Sequence, residues 1–162
     1  MDGFWAVADV MRPIVAVVGG SICTEAEAQL AEELGRRLAE GGAIVLCGGL
    51  TGVMESVARG VRHAGGLTIG ILPGPDASEA NEFIDIPLAT GMGEMRNALI
   101  VRAAGAVVAV GGGHGTLSEV ALALRIGTPV AGLRDRFADA VEMPRMETPA
   151  AASAWAIAQA AR

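Results

Sequence analysis

Five short apolar runs recur along the chain: PIVAVVGG, AIVLCGG, LTIGILPG, AVVAVGGG and PVAGL, with a briefer FIDIPL between the third and fourth. Runs with so little polar alternation are the pattern of strands covered on both faces. Helix-period segments lie between most of them. After the first run, Thr24 and Glu27 fit a capping box opening TEAEAQLAEELGRRLAE, where Leu30, Leu34 and Leu38 share one face and Gly41-Gly42 marks the end. Val53, Val57 and Val61 repeat at the same four-residue spacing after the second run, and Leu117, Val120, Ala121 and Leu124 form a helix-period stripe after the fourth. Thr148 and Pro149 supply an N-cap and a first-turn proline for a last helix packing through Trp155. The irregular stretch RDRFADAVEMPRMETP is expected to carry one more short edge strand. Strands alternating with helices predict an α/β fold, a doubly wound parallel sheet with helices on both faces.

A chain of 162 residues suits one domain, expected to span 1–162 with a core over about 14–133 and a C-terminal helix over about 149–161. No apolar stretch approaches the roughly 20 residues that span a bilayer. The first twelve residues, MDGFWAVADVMR, lack the features of a secretory signal. Cys23 and Cys47 are too far apart for a CxxC pair and are read as thiols in a reducing cytoplasm. Neither His63 nor His114 has a second ligand at metal spacing, so no metal site is expected. The net charge of -6 and the absence of a basic run argue against a nucleic-acid polymer as partner, though not against one small phosphate ester. All twelve basic residues are arginines. Without a lysine the chain has no Walker-type phosphate lysine and no Schiff base of its own, whether for an aldolase or for pyridoxal phosphate.

The doubled glycines at 19, 48 and 111 are spaced by about one and two βα units of roughly 30 residues, which places them on the same carboxyl edge of the sheet. Four segments meet there. They bring Gly19, Gly20 and Ser21; Gly48, Gly49 and Gly52; Met95, Arg96 and Asn97; and Gly111, Gly112, Gly113, His114, Gly115, Thr116 and Glu119. Glycines running from a strand into a helix let backbone N–H groups approach an anion, and the helix N-terminus adds partial positive charge. A phosphorylated small molecule is the expected guest, the alternative being that the glycines only make tight turns.

Arg96 opens a predicted helix, where a cation is out of place against the helix dipole, so it either meets an anionic ligand or pairs with Glu94 on the surface. Glu119 has two readings. Thr116-x-x-Glu119 matches a capping box, and the same carboxylate could face the crevice with Arg96. His114 is read as a lining residue and Glu55 as favourable first-turn charge, while the choice of base or pterin is expected to lie in the packing around Met54, Met92 and Met95.

The stretch GGGHGTLSE resembles the PGGxGTxxE signature of the LOG superfamily, long labelled lysine-decarboxylase-like, which includes the cytokinin riboside 5'-monophosphate phosphoribohydrolases. The closer resemblance is to its molybdenum-cofactor carrier-like branch, through GVMESVARGVRHAGGLTIGILPGPDASEANEFIDIPLATGMGEMRN and VVAVGGGHGTLSEVALAL. It covers about residues 14 to 133. The resemblance implies a Rossmann-like fold, a homodimer or larger homo-oligomer, and a bound nucleotide or molybdenum cofactor, with the phosphate on Gly112, Gly113, Gly115 and Thr116. In the hydrolase branch it makes Arg96 and Glu119 catalytic, in a reaction needing no cofactor. Three departures bear on this: Gly111 replaces the signature proline, Ser118 stands where the hydrolases usually have glutamate, and their Arg-Lys pair is Arg96-Asn97 here. The departures leave phosphate binding intact and weaken the case for hydrolysis.

Overall fold

The computed structural model describes residues 11–162. The N-terminal stretch on which the expectation of no export signal rests lies, apart from Met11 and Arg12, outside them. Seven strands, β1 (Ile14–Gly19), β2 (Ile44–Cys47), β3 (Leu67–Leu72), β4 (Ile86–Ala89), β5 (Ala106–Val110), β6 (Val130–Leu133) and β7 (Arg145–Met146), form one sheet. Every neighbouring pair is parallel, in the order β4-β3-β2-β1-β5-β6-β7. The helices are α1 (Glu25–Glu40), α2 (Val53–His63), α3 (Asn97–Ala103), α4 (His114–Ile126) and α5 (Pro149–Ala160). The predicted edge strand in the irregular segment is β7, and FIDIPL supplies β4 at the opposite edge.

Strand alternation divides the core into two layers. Val15 and Val17 of β1 point into one layer with Val45, Val108, Leu34 of α1, Val57 of α2 and Ala156 of α5. Ala16 and Val18 point into the other with Val107, Ile100 of α3 and Val120 of α4. Helices therefore cover both faces, as a doubly wound sheet requires. All of these side chains are at most 2 % exposed.

Helix α1 has the predicted capping box: Thr24 Oγ1 accepts from the Glu27 N–H at 3.2 Å, and Glu27 Oε2 accepts from the Thr24 N–H at 2.8 Å. Thr148 caps α5 and Pro149 starts it. That last helix reaches the sheet through Ala152 and Ala156, with the Trp155 indole half-buried at the rim rather than central. Alanine lets an amphipathic helix approach a sheet more closely than an indole would. Among the described residues no helix is long and apolar enough to cross a membrane.

The chain runs outward from β1 through β2 and β3 to β4, then returns to pair β5 on the other side of β1. Strand order reverses between β1 and β5. A crevice opens at such a point, beyond the carboxyl ends of the strands.

Candidate functional site

The loops after β1, β2 and β5 meet at this crevice with the turn that precedes α3. Backbone and side-chain bonds fix them to one another: the Val53 N–H donates to the Gly20 carbonyl at 3.0 Å, and Thr51 Oγ1 donates to the Ser21 carbonyl at 2.9 Å. Asn81 holds the β2–α2 loop from the other side, its Nδ2 donating to the carbonyls of Leu50 at 2.7 Å and Gly49 at 3.2 Å. Nothing in the ANEF stretch marked Asn81 as part of the site, because its partners lie about thirty residues upstream.

The cleft so formed has a volume of about 270 Å³. It is lined by ten of the sequence-predicted residues: Gly19, Gly20, Ser21, Gly48, Arg96, Asn97, Gly113, Gly115, Thr116 and Glu119. Sequence reasoning did not assign Val17, Val18, Leu50 or Glu94 to the lining; it named Met54, which is there, only as packing. The first two are buried residues near the carboxyl end of β1. Six predicted residues do not line it. Gly49 and Gly52 shape the β2–α2 loop behind it, and Gly111 and Gly112 form the start of the β5–α4 turn, packed against Glu27 and Thr116. His114 is exposed on the first turn of α4, and Met95 is 73 % exposed, with Met92 also outward. The expectation that His114 lines the cleft is corrected accordingly, since the first turn of α4 presents it to solvent, and so is the placing of Met95 at the ligand, since the segment before α3 turns both Met92 and Met95 outward.

Arg96 does not pair with Glu94 at the surface. It closes a short 3-10 turn, Gly93–Arg96, and its side chain is only 7 % exposed. The guanidinium donates to the Asn97 side-chain oxygen and, at 3.4 Å, to the Gly48 carbonyl, while its Nε is buried with no hydrogen-bond partner. Gly48 makes the placement possible, since a β-carbon there would stand 2.7 Å from Arg96 Nη2 and 2.6 Å from Met54 Sδ. Among the described residues Arg96 forms no ion pair. A buried guanidinium left without a counter-ion costs free energy unless something else supplies one.

The capping-box reading of Thr116 and Glu119 is also corrected. Helix α4 begins at His114 with Gly113 as its N-cap, so Thr116 is already in the first turn and Glu119 is a full turn further on. The glutamate is 6 % exposed, lines the cleft and takes part in no side-chain hydrogen bond among the described residues. Burial pushes its carboxyl up to about 8; Arg96 pulls it down only in part, and Glu94 adds to the rise. At neutral pH this carboxyl is largely protonated and can donate a hydrogen bond into the cleft.

The helix ends tell the same story. Helices α1 and α5 are capped by threonine side chains. Helices α2 and α4, which start at the cleft, have glycine N-caps, Gly52 and Gly113, with no side-chain cap at all. First-turn N–H groups with no capping oxygen are the ones free to take a ligand oxygen. At Gly113 and Gly115 nothing stands within 4 Å of where a β-carbon would be, so an anion can come up to the backbone.

The SLOG cluster4 family profile matches residues 12–160. An uncharacterized protein of Archaeoglobus fulgidus is 43 % identical over 120 residues, which cover 74 % of this chain and 79 % of that one. The probable cytokinin riboside 5'-monophosphate phosphoribohydrolase LOGL5 of Oryza sativa subsp. japonica is 34 % identical over 115 residues, 67 % of this chain but only 46 % of the rice protein. Among solved structures, the molybdenum cofactor binding protein of Rippkaea orientalis superposes with a TM-score of 0.84 at 35 % identity, covering 89 % of this chain and 94 % of that one. The molybdenum cofactor carrier protein of Chlamydomonas reinhardtii gives 0.83 at 36 % identity, over 93 % and 99 %. The family match spans nearly all the described residues and the fold agrees with it: this chain belongs to the SLOG cluster4 family.

Proposed function

We propose that the cleft between β1 and β5 binds a phosphorylated nucleotide or a molybdopterin-type cofactor, and that the protein acts as a binding or carrier module. The observation that carries this is Arg96, buried at the cleft with an unpartnered Nε and no ion pair among the described residues. A phosphate ester would supply the missing charge and oxygens, shared between Arg96, the N–H groups of Gly113 to Thr116 and the Thr116 hydroxyl. A molybdenum-bearing pterin would enter by its phosphate. Among the described residues no group of three His, Cys, Asp or Glu side chains is placed to hold the metal itself. Protonated, Glu119 would donate to a ring or sugar oxygen, and Leu50 and Met54 give the cleft an apolar wall. The volume is near the lower bound of small-ligand sites, roughly 300 Å³, so the phosphate end sits inside and the rest lies in the mouth.

Hydrolysis of a nucleoside 5'-monophosphate to base and ribose 5-phosphate is the second reading. It is favoured by Arg96 and Glu119 lining one cleft and by the likeness to the rice phosphoribohydrolase. Stabilising an oxocarbenium-like state requires an ionised Glu119, which its environment opposes at neutral pH. Titration calorimetry with AMP and with supplied molybdenum cofactor, beside an assay of free base from AMP, tests both. Saturable binding of at least one ligand, with no more base released than by Glu119→Ala, is expected. Binding of neither removes the carrier reading, and base release well above that control establishes the hydrolase.

The homo-oligomer implied by the family resemblance has a candidate surface. Helices α3 and α4 lie on the second face of the sheet, and at its β3–β4 end Ile86 and Leu88, in register beside Ile69 and Ile71, remain exposed among the described residues together with Leu99 of α3. Apolar strand residues left uncovered on a sheet face are a place for a second copy. Light scattering should show a dimer or larger species for the wild type and a lower mass for Leu88→Glu. A monomeric wild type at micromolar concentration would rule this out.

A further inference from the structure

Glu27 does more than cap α1. Its Oε2 accepts from the Thr24 N–H, while Oε1 receives a bond from Arg136 Nη2 at 2.5 Å, an ion pair reaching across 109 positions to the segment after β6. The carboxylate is buried although Arg136 is largely exposed. Burial alone would raise its pKa, but the Thr24 N–H and Arg136 outweigh burial and hold it below the usual carboxylate range. It is therefore charged at every pH near neutral.

That same Oε1 lies against the turn between β5 and α4. A β-carbon on Gly111 would stand 2.3 Å from it, and Gly111 has φ of 55°, a backbone state that a proline ring, fixed near about −65°, cannot take. The LOG-type signature has proline at this position. In this chain a glycine takes its place, and a carboxylate from α1 occupies the space that a side chain there would need. The turn then runs through Gly112 and Gly113, three successive glycines that would be loose without an outside contact.

We propose that Glu27, anchored by Arg136, is the positioning residue of the glycine turn Gly111–Gly113, setting the backbone that the phosphate-binding reading uses. The inference rests on that reading only for its effect on affinity; the effect on the turn is independent of any ligand. Order parameters from ¹⁵N relaxation at Gly111, Gly112 and Gly113 in the unliganded protein, together with AMP affinity, test it in Arg136→Ala, Arg136→Lys and Glu27→Gln. In Arg136→Ala the three order parameters should fall from about 0.85 toward 0.6 or lower. Those of β1 to β3 should not move, AMP affinity should drop several-fold, and Arg136→Lys should restore part of both. Should Glu27→Gln fail to fold, Arg136→Ala, on the exposed partner, still decides. Unchanged order parameters at the turn in Arg136→Ala, or a uniform fall along the whole chain, overturn the proposal. Wild-type protein that binds no AMP would count against the nucleotide reading and leave the relaxation result to judge the positioning role.

Discussion

Glu119→Gln should make the protein more stable, and by an amount that grows with pH. The folded-state carboxyl titrates at about 8, above its ordinary value of 4.5, because burial disfavours the anion. Between those two values the native state holds a proton that the unfolded chain has released. The unfolded state then binds fewer protons, so wild-type stability falls as pH rises from about 4.5 to about 8 and levels off above. Glutamine resembles the protonated acid and has no such slope. The variant should match the wild type near pH 4 and exceed it by a few kcal/mol at pH 9, several degrees in Tm for a chain of this size, with each pKa unit worth about 1.4 kcal/mol. Thermal melts of both proteins at pH 4, 6, 7.5 and 9 check it. A difference in Tm that stays constant with pH would mean that Glu119 is not held protonated. A residue that destabilises its own fold while lining the cleft is the profile of a group retained for a ligand.

The architecture was legible because its causes are local. Apolar runs, four of the five ending in glycine, predicted β1, β2, β3, β5 and β6, and the Thr24–Glu27 spacing predicted a cap that does form. The same kind of spacing misled at Thr116 and Glu119. There the backbone enters the helix at Gly113, three residues earlier than the motif suggests, since a glycine N-cap leaves no side-chain signature. The glycine clusters correctly indicated an edge, but which of them face the cleft depends on the turn: Gly113 and Gly115 do, while Gly111 lies over Glu27. The burial of Arg96 was not legible at all. It depends on Gly48, a strand-end residue forty-eight positions away, lacking a β-carbon where the guanidinium lies. Asn81 and the Arg136 end of the Glu27 pair were hidden for the same reason, as single polar residues whose partners only the fold brings near.

Arg96→Met should lose ligand affinity by about a hundredfold or more and yet fold at least as well as the wild type. The two halves have one cause. In the unliganded protein the guanidinium is buried, holds one long bond to the Gly48 carbonyl and one to its neighbour Asn97, and leaves Nε without a partner. Removing a buried charge that has no counter-ion relieves a desolvation penalty, and methionine roughly refills the volume beside Met54. In the proposed complex the same guanidinium would meet a phosphate, and truncating a buried charge-assisted contact of that kind typically costs about 2 to 5 kcal/mol. An arginine that mattered only to packing would give the opposite pair of results, lower stability and little change in binding. Calorimetric titration with AMP or the supplied cofactor, set beside a thermal melt of the same sample without ligand, separates the cases. Without Arg96, Glu119 also loses the neighbour that lowers its pKa, so the carboxyl should titrate higher still. A Glu119→Gln, Arg96→Met double variant should then show more than the sum of the two single gains in stability at pH 9, because each single change also removes the attraction between the two side chains, and the double variant loses it only once.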